Sequence, residues 1–413
     1  MAASDWTRMP LGDFVTLQRG HDLPDERRQP GDVPILGSFG VTGWHSESKA
    51  RGPGVTVGRS GASFGVVSYS PIDYWPLNTA LYVNNFHGND ERFAYYFLQM
   101  FDFKSYNSGS AQPSLNRNFV HPVPVEVPPL SEQRAIARIL GTLDDKIELN
   151  QRMNRTLETM ARTLFKSWFV DFDPVRAKAT GHDPNMPQLL NDLFPDSFEE
   201  SAMGRIPKEW RIMPIGELAN IVGGSTPSTK EAEFWDAGLH YWATPKDLSA
   251  LNTPVLLATE RKITDRGLAQ IGSGLLAPGT VLLSSRAPIG YLAVAEVPVA
   301  VNQGFIAMVP SKGVSNLFLL YWAECAHETI VSRANGSTFL EISKSSFRPI
   351  PVALPPASVL ESFERIARPI YSRIVCNEKE SRALAASRDA LLPKLISGAV
   401  RAQVAEQIIG GLA

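Results

Sequence analysis

The chain has 413 residues, 44% hydrophobic and 20% charged, with a formal net charge of −2. That is the composition of a globular protein of two or three domains, and it excludes a disordered or low-complexity chain. No run approaches the ~20 apolar residues of a membrane span, residues 1–6 have neither the basic nor the apolar part of a signal peptide, and two cysteines, Cys325 and Cys376, cannot form a disulfide framework. The expected compartment is the reducing cytoplasm. Near-neutral charge argues against a simple basic nucleic-acid binder. The acidic excess is local, however: residues 171–209 hold eight Asp/Glu and four Lys/Arg, which leaves the rest of the chain at +2.

In chain order, residues 1–130 read as a first globular domain of short strands and Gly-rich turns. The strand-like runs include residues 55–57, 66–69 and 81–83, and Val123, Val125 and Val127 alternate as a last strand that Pro128-Pro129 ends. The period then changes. Over residues 131–170, Ile136, Leu140, Leu143, Ile147, Asn150, Asn154, Leu157, Ala161, Leu164 and Trp168 follow steps of four and three, the heptad seam of a coiled-coil helix. Residues 171–209 read as an acidic, Pro-containing linker with one helical turn near Gln188. A second globular domain follows at 210–356, with strands near 281–283 and 291–294. A second spacer helix and tail fill 357–413, its seam running through Ile370, Ile374, Asn377, Ser381, Leu384, Leu391 and Leu395. Pro369 predicts a kink or a late start for this helix. Asn150 and Asn377 either fix the register of a buried seam or face solvent where the helices splay.

These two halves are copies. Trp6-Thr7-Arg8-Met9-Pro10-Leu11-Gly12-Asp13 returns as Trp210-Arg211-Ile212-Met213-Pro214-Ile215-Gly216-Glu217, an offset of 204. From Gly109 and Gly336 onward the offset is 227 and holds without a gap. It matches Pro122-Val123-Pro124-Val125 to Pro349-Ile350-Pro351-Val352 and Asn150, Arg155, Leu157 and Leu164 to Asn377, Arg382, Leu384 and Leu391. The second copy therefore carries 23 extra residues between the two anchors. Two helices with matching seams in one chain should pack on each other.

A search for catalytic motifs is largely empty: there is no Walker loop, no G-x-G-x-x-G, no H-E-x-x-H, no Cys cluster and no G-x-S-x-G elbow. Pro24-Asp25 with Glu47-Ser48-Lys49 has the outline of a nuclease site, but the second copy has no counterpart. What recurs is recognition chemistry. The loop with Arg59, Ser60 and Ser63 and its approximate counterpart Ser284-Ser285-Arg286 each set an arginine among hydroxyls and small residues. Gln112, Asn116 and Arg117, Asn302 and Gln303, and Lys344 add amides and cations. Such groups contact phosphates and base edges, although an arginine in a turn is also often just a surface residue or an ion-pair partner. Two similar readers on one chain suit a duplex with two separated half-sites.

Specific stretches resemble the specificity subunits of type I restriction–modification systems. They are Pro128-Pro129-Leu130-Ser131-Glu132-Gln133-Arg134-Ala135-Ile136-Ala137, the run from Leu164 to Val175, Leu193-Phe194-Pro195-Asp196-Ser197-Phe198, Gly204-Arg205-Ile206-Pro207-Lys208-Glu209-Trp210, Asn302-Gln303-Gly304-Phe305 and Leu391-Leu392-Pro393-Lys394-Leu395-Ile396-Ser397-Gly398. The resemblance implies an α/β chain: two mixed α/β target recognition domains rich in short strands, separated by two long helices packed as an antiparallel coiled coil. It implies a non-catalytic subunit that reads a split site in double-stranded DNA and docks two methyltransferase subunits and motor–nuclease subunits. No cofactor is then expected on this chain; S-adenosylmethionine, ATP and Mg2+ belong to the partners. Ala357-Ser358-Val359-Leu360 departs from the pattern set by Leu130-Ser131-Glu132-Gln133 in the first copy. The competing readings are a protein–protein scaffold and a stand-alone nuclease or methyltransferase.

Overall fold

The computed structural model describes residues 5–109, 113–183, 186–336 and 340–405. The chain divides into two compact units, Met1–Ile147 with Arg382–Ala413, and Glu148–Ser381.

The first unit contains β1 (Thr7–Pro10), β2 (Thr16–Arg19), β3 (Val33–Gly37), β4 (Gly40–His45), β5 (Gly54–Gly58), β6 (Val67–Ser70), β7 (Trp75–Pro76), β8 (Ala80–Asn85) and β9 (Pro124–Val127). They form a four-stranded sheet in the order β2-β8-β5-β6, a three-stranded sheet β4-β3-β7, and the pair β1-β9. The central strand β5, Gly-Val-Thr-Val-Gly, is buried at every position, so its β-branched residues pack on both faces. The helix Glu91–Met100 buries Phe93, Ala94, Tyr96 and Leu98 and starts where the Asp90 side chain accepts the Phe93 N–H at 2.8 Å.

After Pro128-Pro129 the first long helix runs from Leu130 to Phe169, and the second from Ala357 to Ile396. In the first unit the start of one meets the end of the other, an antiparallel pairing. Ile136, Ile139 and Leu140 share a core with Leu395, Ile396, Ala402 and Ala405, and Arg388 pairs with Asp144 at 2.7 Å. Gly141, the glycine inside the first long helix, lies under the guanidinium of Arg92, which donates to its carbonyl at 3.0 Å and forks onto Asp145.

The second unit contains β10 (Phe198–Ser201), β11 (Gly204–Pro207), β12 (Arg211–Pro214), β13 (Ala219–Val222), β14 (His240–Ala243), β15 (Val255–Leu256), β16 (Arg261–Ile263), β17 (Val281–Ser285), β18 (Ile289–Ala295), β19 (Val299–Val301), β20 (Phe305–Pro310) and β21 (Pro351–Leu354). Its sheets are β13-β20-β17-β18-β15 and β16-β14-β19, with the pairs β10-β11 and β12-β21. Strand for strand this is the frame of the first unit, with β13, β20, β17 and β18 standing for β2, β8, β5 and β6. The parallel pairing of β3 with β7 recurs between β14 and β19. The duplication in the sequence is thus a duplication of topology. One place where the second unit is longer is the β3–β4 turn of Ser38 and Phe39, which becomes residues 244–260 with the helix Pro245–Ser249 and β15.

The segment 171–209 is more ordered than a linker. It forms the helices Asp173–Ala179 and Gln188–Asn191 and the β10–β11 hairpin, and it buries Val175, Phe194 and Ile206 in the core of the second unit. Its acidic residues conceal an apolar minority large enough to anchor it. The second long helix does not start late at Pro369: it runs from Ala357, with Val359, Phe363, Ala367 and Ile374 buried. Proline removes one i→i−4 bond, and here it sits on the exposed side of a helix held by that apolar stripe.

In the second unit the end of the first long helix meets the start of the second, again antiparallel. Asn150, Asn154 and Asn377 are 1%, 1% and 4% exposed, so the seam asparagines do not face solvent. Asn377 Nδ2 donates to Asn154 Oδ1 at 2.8 Å, Asn154 Nδ2 to Glu378 Oε1 at 3.0 Å, and Asn150 Nδ2 to Glu380 Oε2 at 2.8 Å and Ser381 Oγ at 3.3 Å. This polar layer rewards one register of the helices, since a slip would strand buried amides. Asn377→Leu is expected to destabilise the second unit by about 1–3 kcal/mol in urea titration, because the Asn154 carbonyl loses its donor while staying buried. The apolar seam positions Ile136, Leu140, Leu143 and Ile374 are buried, and Ile147, Leu157, Leu164, Ile370, Leu384 and Leu391 are half-buried.

Glu158 lies beyond this layer with its Oε1 buried and unpartnered among the described residues. Burial pushes its carboxyl up to about 7; Arg162 pulls it back less, because Arg162 is held by Glu324 at 2.6 Å, and Glu324 and Glu378 add repulsion. A carboxyl raised in the folded state binds a proton that the unfolded chain releases, so the contribution of Glu158 to stability is fully present below about pH 4.5 and is lost as pH rises to about 7. Glu158→Gln should remove this slope and gain about 1 kcal/mol over the parent at pH 8, after solvent screening, with no gain at pH 4. Equal gains at both pH values would refute the titration.

Candidate nucleic-acid interface

In the first unit the polar groups gather at one end of the β5–β8 pairing. Gly58 closes β5 where a Cβ would lie 2.0 Å from the Ser63 carbonyl oxygen and 2.4 Å from that of Ser38, so only glycine admits the loop that follows. Arg59 is held by its backbone, donating to Thr79 O at 3.0 Å and accepting from Leu115 N at 2.8 Å, and its Nη1 reaches Asn78 O at 3.3 Å. Ser60 bridges to Ser114, and Ser63 ends the turn Gly61–Ser63. Asn116 is exposed and caps the short helix Arg117–Val120, accepting from Asn118 N at 3.0 Å, while Arg117 is exposed with Nη1 3.4 Å from Leu17 O. Gln112 lies outside the described residues.

In the second unit the structure corrects the sequence alignment of the loops. Ser285 donates to Gly304 O and accepts from Ile342 N, as Arg59 does with Thr79 and Leu115. Arg286 bridges to Glu341 as Ser60 does to Ser114. The equivalent of Arg59 is therefore Ser285, and Arg286 replaces Ser60. Ser284 and Ser285 are 0% and 2% exposed. The Ser284 hydroxyl donates to Pro288 O and accepts from Tyr291 N, both at 2.8 Å. Both serines, expected at the DNA surface, are instead buried, and Ser284 locks the β17–β18 turn from inside. Arg286 is partly exposed and ion-paired to Glu341 at 3.6 Å. Asn302 turns inward to accept from Gly304 N at 2.9 Å. Gln303 is exposed and accepts from the Thr226 hydroxyl at 2.6 Å. Lys344 is exposed at the start of the helix Lys344–Phe347, capped by Ser343, and its Nζ stands over Gly223, 3.1 Å from where a Cβ would be.

Sequence reasoning missed Asp22, Asn78 and Thr226. Asn78 Nδ2 donates to the Asp22 carboxylate, and Arg19 stands 3.9 Å from the same group. Of the nuclease-like residues, Asp25 pairs with Arg28 at 2.8 Å, and Lys49 lies over the Trp75 ring.

Two copies of one frame, each presenting exposed amide, hydroxyl and cationic side chains at the same edge, define a protein of the recognition class. The chain belongs to the type I restriction–modification DNA specificity family, whose domain model matches residues 3–159 and 207–364. Its role is the recognition of DNA sequence, and it is a specificity component rather than a catalytic one. The chain is 37% identical over 160 residues to the type I restriction enzyme MjaIX specificity subunit of Methanocaldococcus jannaschii, a match to 38% of this chain and 37% of that protein's length. It is 26% identical over 330 residues to the HindI specificity subunit of Haemophilus influenzae, covering 70% of this chain and 71% of the relative. The crystal structure of the type I S subunit from M. genitalium shares the fold, with a TM-score of 0.61 at 17% identity over 95% of this chain and 96% of that one.

Proposed function

We propose that the chain reads a split site in double-stranded DNA, each unit contacting one half, and that it docks two methyltransferase subunits and motor–nuclease subunits in the cytoplasm. On this reading S-adenosylmethionine, ATP and Mg2+ serve the partners and not this chain. The observation that carries it is the repetition of one strand topology with unlike side chains on the same exposed edge, as expected of two readers for two different half-sites. Among the described residues no helix is long and apolar enough to cross a membrane.

The test is a selection of duplexes from a random pool by the full chain, followed by mapping of methylated adenines in host DNA with and without it. Both should return two blocks of fixed bases at a fixed gap. Arg59→Ala should relax one block and Arg286→Ala the other, each by about 1–3 kcal/mol at one base pair if the lost contact is bidentate to guanine. An even loss across all sequences would make these arginines phosphate contacts. Binding without any sequence preference or salt dependence would favour a protein scaffold.

A further inference from the structure

The two units carry the same side-chain pair at the same place in the frame, with different chemistry. Gly20 and Gly224 are equivalent: a Cβ on either would strike the end of the strand that precedes β8 or β20, at Pro76 O or Val301 O. Counting on, Asp22 matches Thr226. Gly58 faces Ala80 across β5 and β8, and Ser284 faces Phe305 across β17 and β20. Counting back from those partners, Asn78 matches Gln303. The Asn78–Asp22 hydrogen bond in the first unit is thus the structural counterpart of the Thr226–Gln303 bond in the second. A cation also stands at the same place in each frame, supplied from a different position: Arg19 next to Asp22 in the first unit, and Lys344 over Gly223, which occupies the place of Arg19, in the second.

Both pairs are exposed or half-exposed, so they do not serve packing. An exposed hydrogen bond contributes little to stability, yet this one recurs in two copies whose surrounding sequences differ. We infer that Asp22–Asn78 and Thr226–Gln303 are matched base-reading pairs, each contacting the edge of one base pair in its own half-site, with the neighbouring cation steering the adjacent phosphate. The inference rests on the reading of the chain as a two-part DNA recogniser.

The chemistry of the pairs differs in a way that base edges distinguish. In the first unit an Asn78 amide N–H is given to Asp22, so the pair is dominated by acceptors, one of them charged. That suits the exocyclic amino groups of cytosine or adenine in the major groove. In the second unit the Gln303 carbonyl is taken by the Thr226 hydroxyl, so the amide N–H groups dominate. That suits acceptors such as guanine O6 and N7 or adenine N7.

The experiment exchanges the pairs in the full chain and repeats the selection from a random duplex pool. Asp22→Thr with Asn78→Gln should change the preferred base at one position of one block by roughly 5- to 150-fold and leave the other block unchanged. Thr226→Asp with Gln303→Asn should do the reciprocal. Unchanged thermal unfolding would certify that both exchanged chains fold. The inference is overturned if both exchanged chains keep the parental preferences in full, or if they lose affinity evenly over all duplexes, as a phosphate contact would. If the parent chain itself enriches no sequence, it is the two-part DNA reading that fails, and this inference with it.

Discussion

Removal of residues 382–413 should unfold the first unit and leave Glu148–Ser381 folded. The first unit is not closed by its own N-terminal sequence: Leu395 is 0% and Ile396 8% exposed, and Ala402 and Ala405 are fully buried, all in the core built by Ile136, Leu140 and the first-unit sheets. Burying one large aliphatic side chain is worth about 1.5–3 kcal/mol. With the Arg388–Asp144 pair also lost, the deletion removes about 5 kcal/mol, comparable to the whole stability of an ordinary domain. Calorimetry of the full chain and the truncated chain should show the transition of the first unit vanish while that of the second stays. The exposed stripe of Ile136 and Leu140 should also drive self-association. In the duplex selection, only one of the two base blocks should disappear. A first unit that melts within a few degrees of its parent would show that the C-terminal segment is not part of its core.

Phe165→Ala should damage the other unit as severely. The Phe165 side chain is 1% exposed, and its ring lies 4.8 Å from that of Phe169, 5.3 Å from Phe318, 5.6 Å from Phe363 and 6.0 Å from Tyr321. It joins the first long helix, the second long helix and the helix Asn316–Cys325 at one point. Its deletion leaves a cavity that three separate elements would have to close together, and Phe→Ala in such a site costs about 3–5 kcal/mol. For a unit of this size that lowers the midpoint by on the order of 10 °C. The transition of the first unit should not move. Leucine at 165 should recover part of the loss, since it restores volume without the edge-to-face ring contacts. A loss below about 1 kcal/mol would show that the hub can collapse around the gap.

Much of this architecture is carried by local pattern. Heptad spacing is a property of consecutive residues, and Ile136, Leu140, Asn150 and Ile374 are buried along the seams they mark. The short strands at 55–57, 81–83 and 281–283 lie in β5, β8 and β17; the plainest is Val55-Thr56-Val57 between Gly54 and Gly58, a β-branched run with few alternatives. The candidate surface was less legible. Arg59 and Arg286 look equivalent in sequence because both stand among serines, yet strand pairing shifts them by one residue. Asp22, Asn78 and Thr226 belong to no motif, and only the folded frame sets each beside its partner, 56 residues apart in the first unit and 77 in the second.

The sequence by itself determined the duplication, the two helical seams, the polar interruptions in them and the membership of a DNA-reading family. Each is written in residues close together or at one constant offset, and hydrophobic period and repetition survive any change in the loops. Only the tertiary structure decided that Ser284 and Ser285 are interior, that the acidic segment 171–209 is anchored by Val175, Phe194 and Ile206, and that the C-terminus completes the core of the first unit. It alone also decided which exposed polar side chains pair with one another, Asn78 with Asp22 and Thr226 with Gln303. The physical reason is common to all four. Whether a side chain is buried, and what it bonds, depends on atoms supplied by distant segments, and neither its residue type nor its neighbours in the chain encode where those segments will lie.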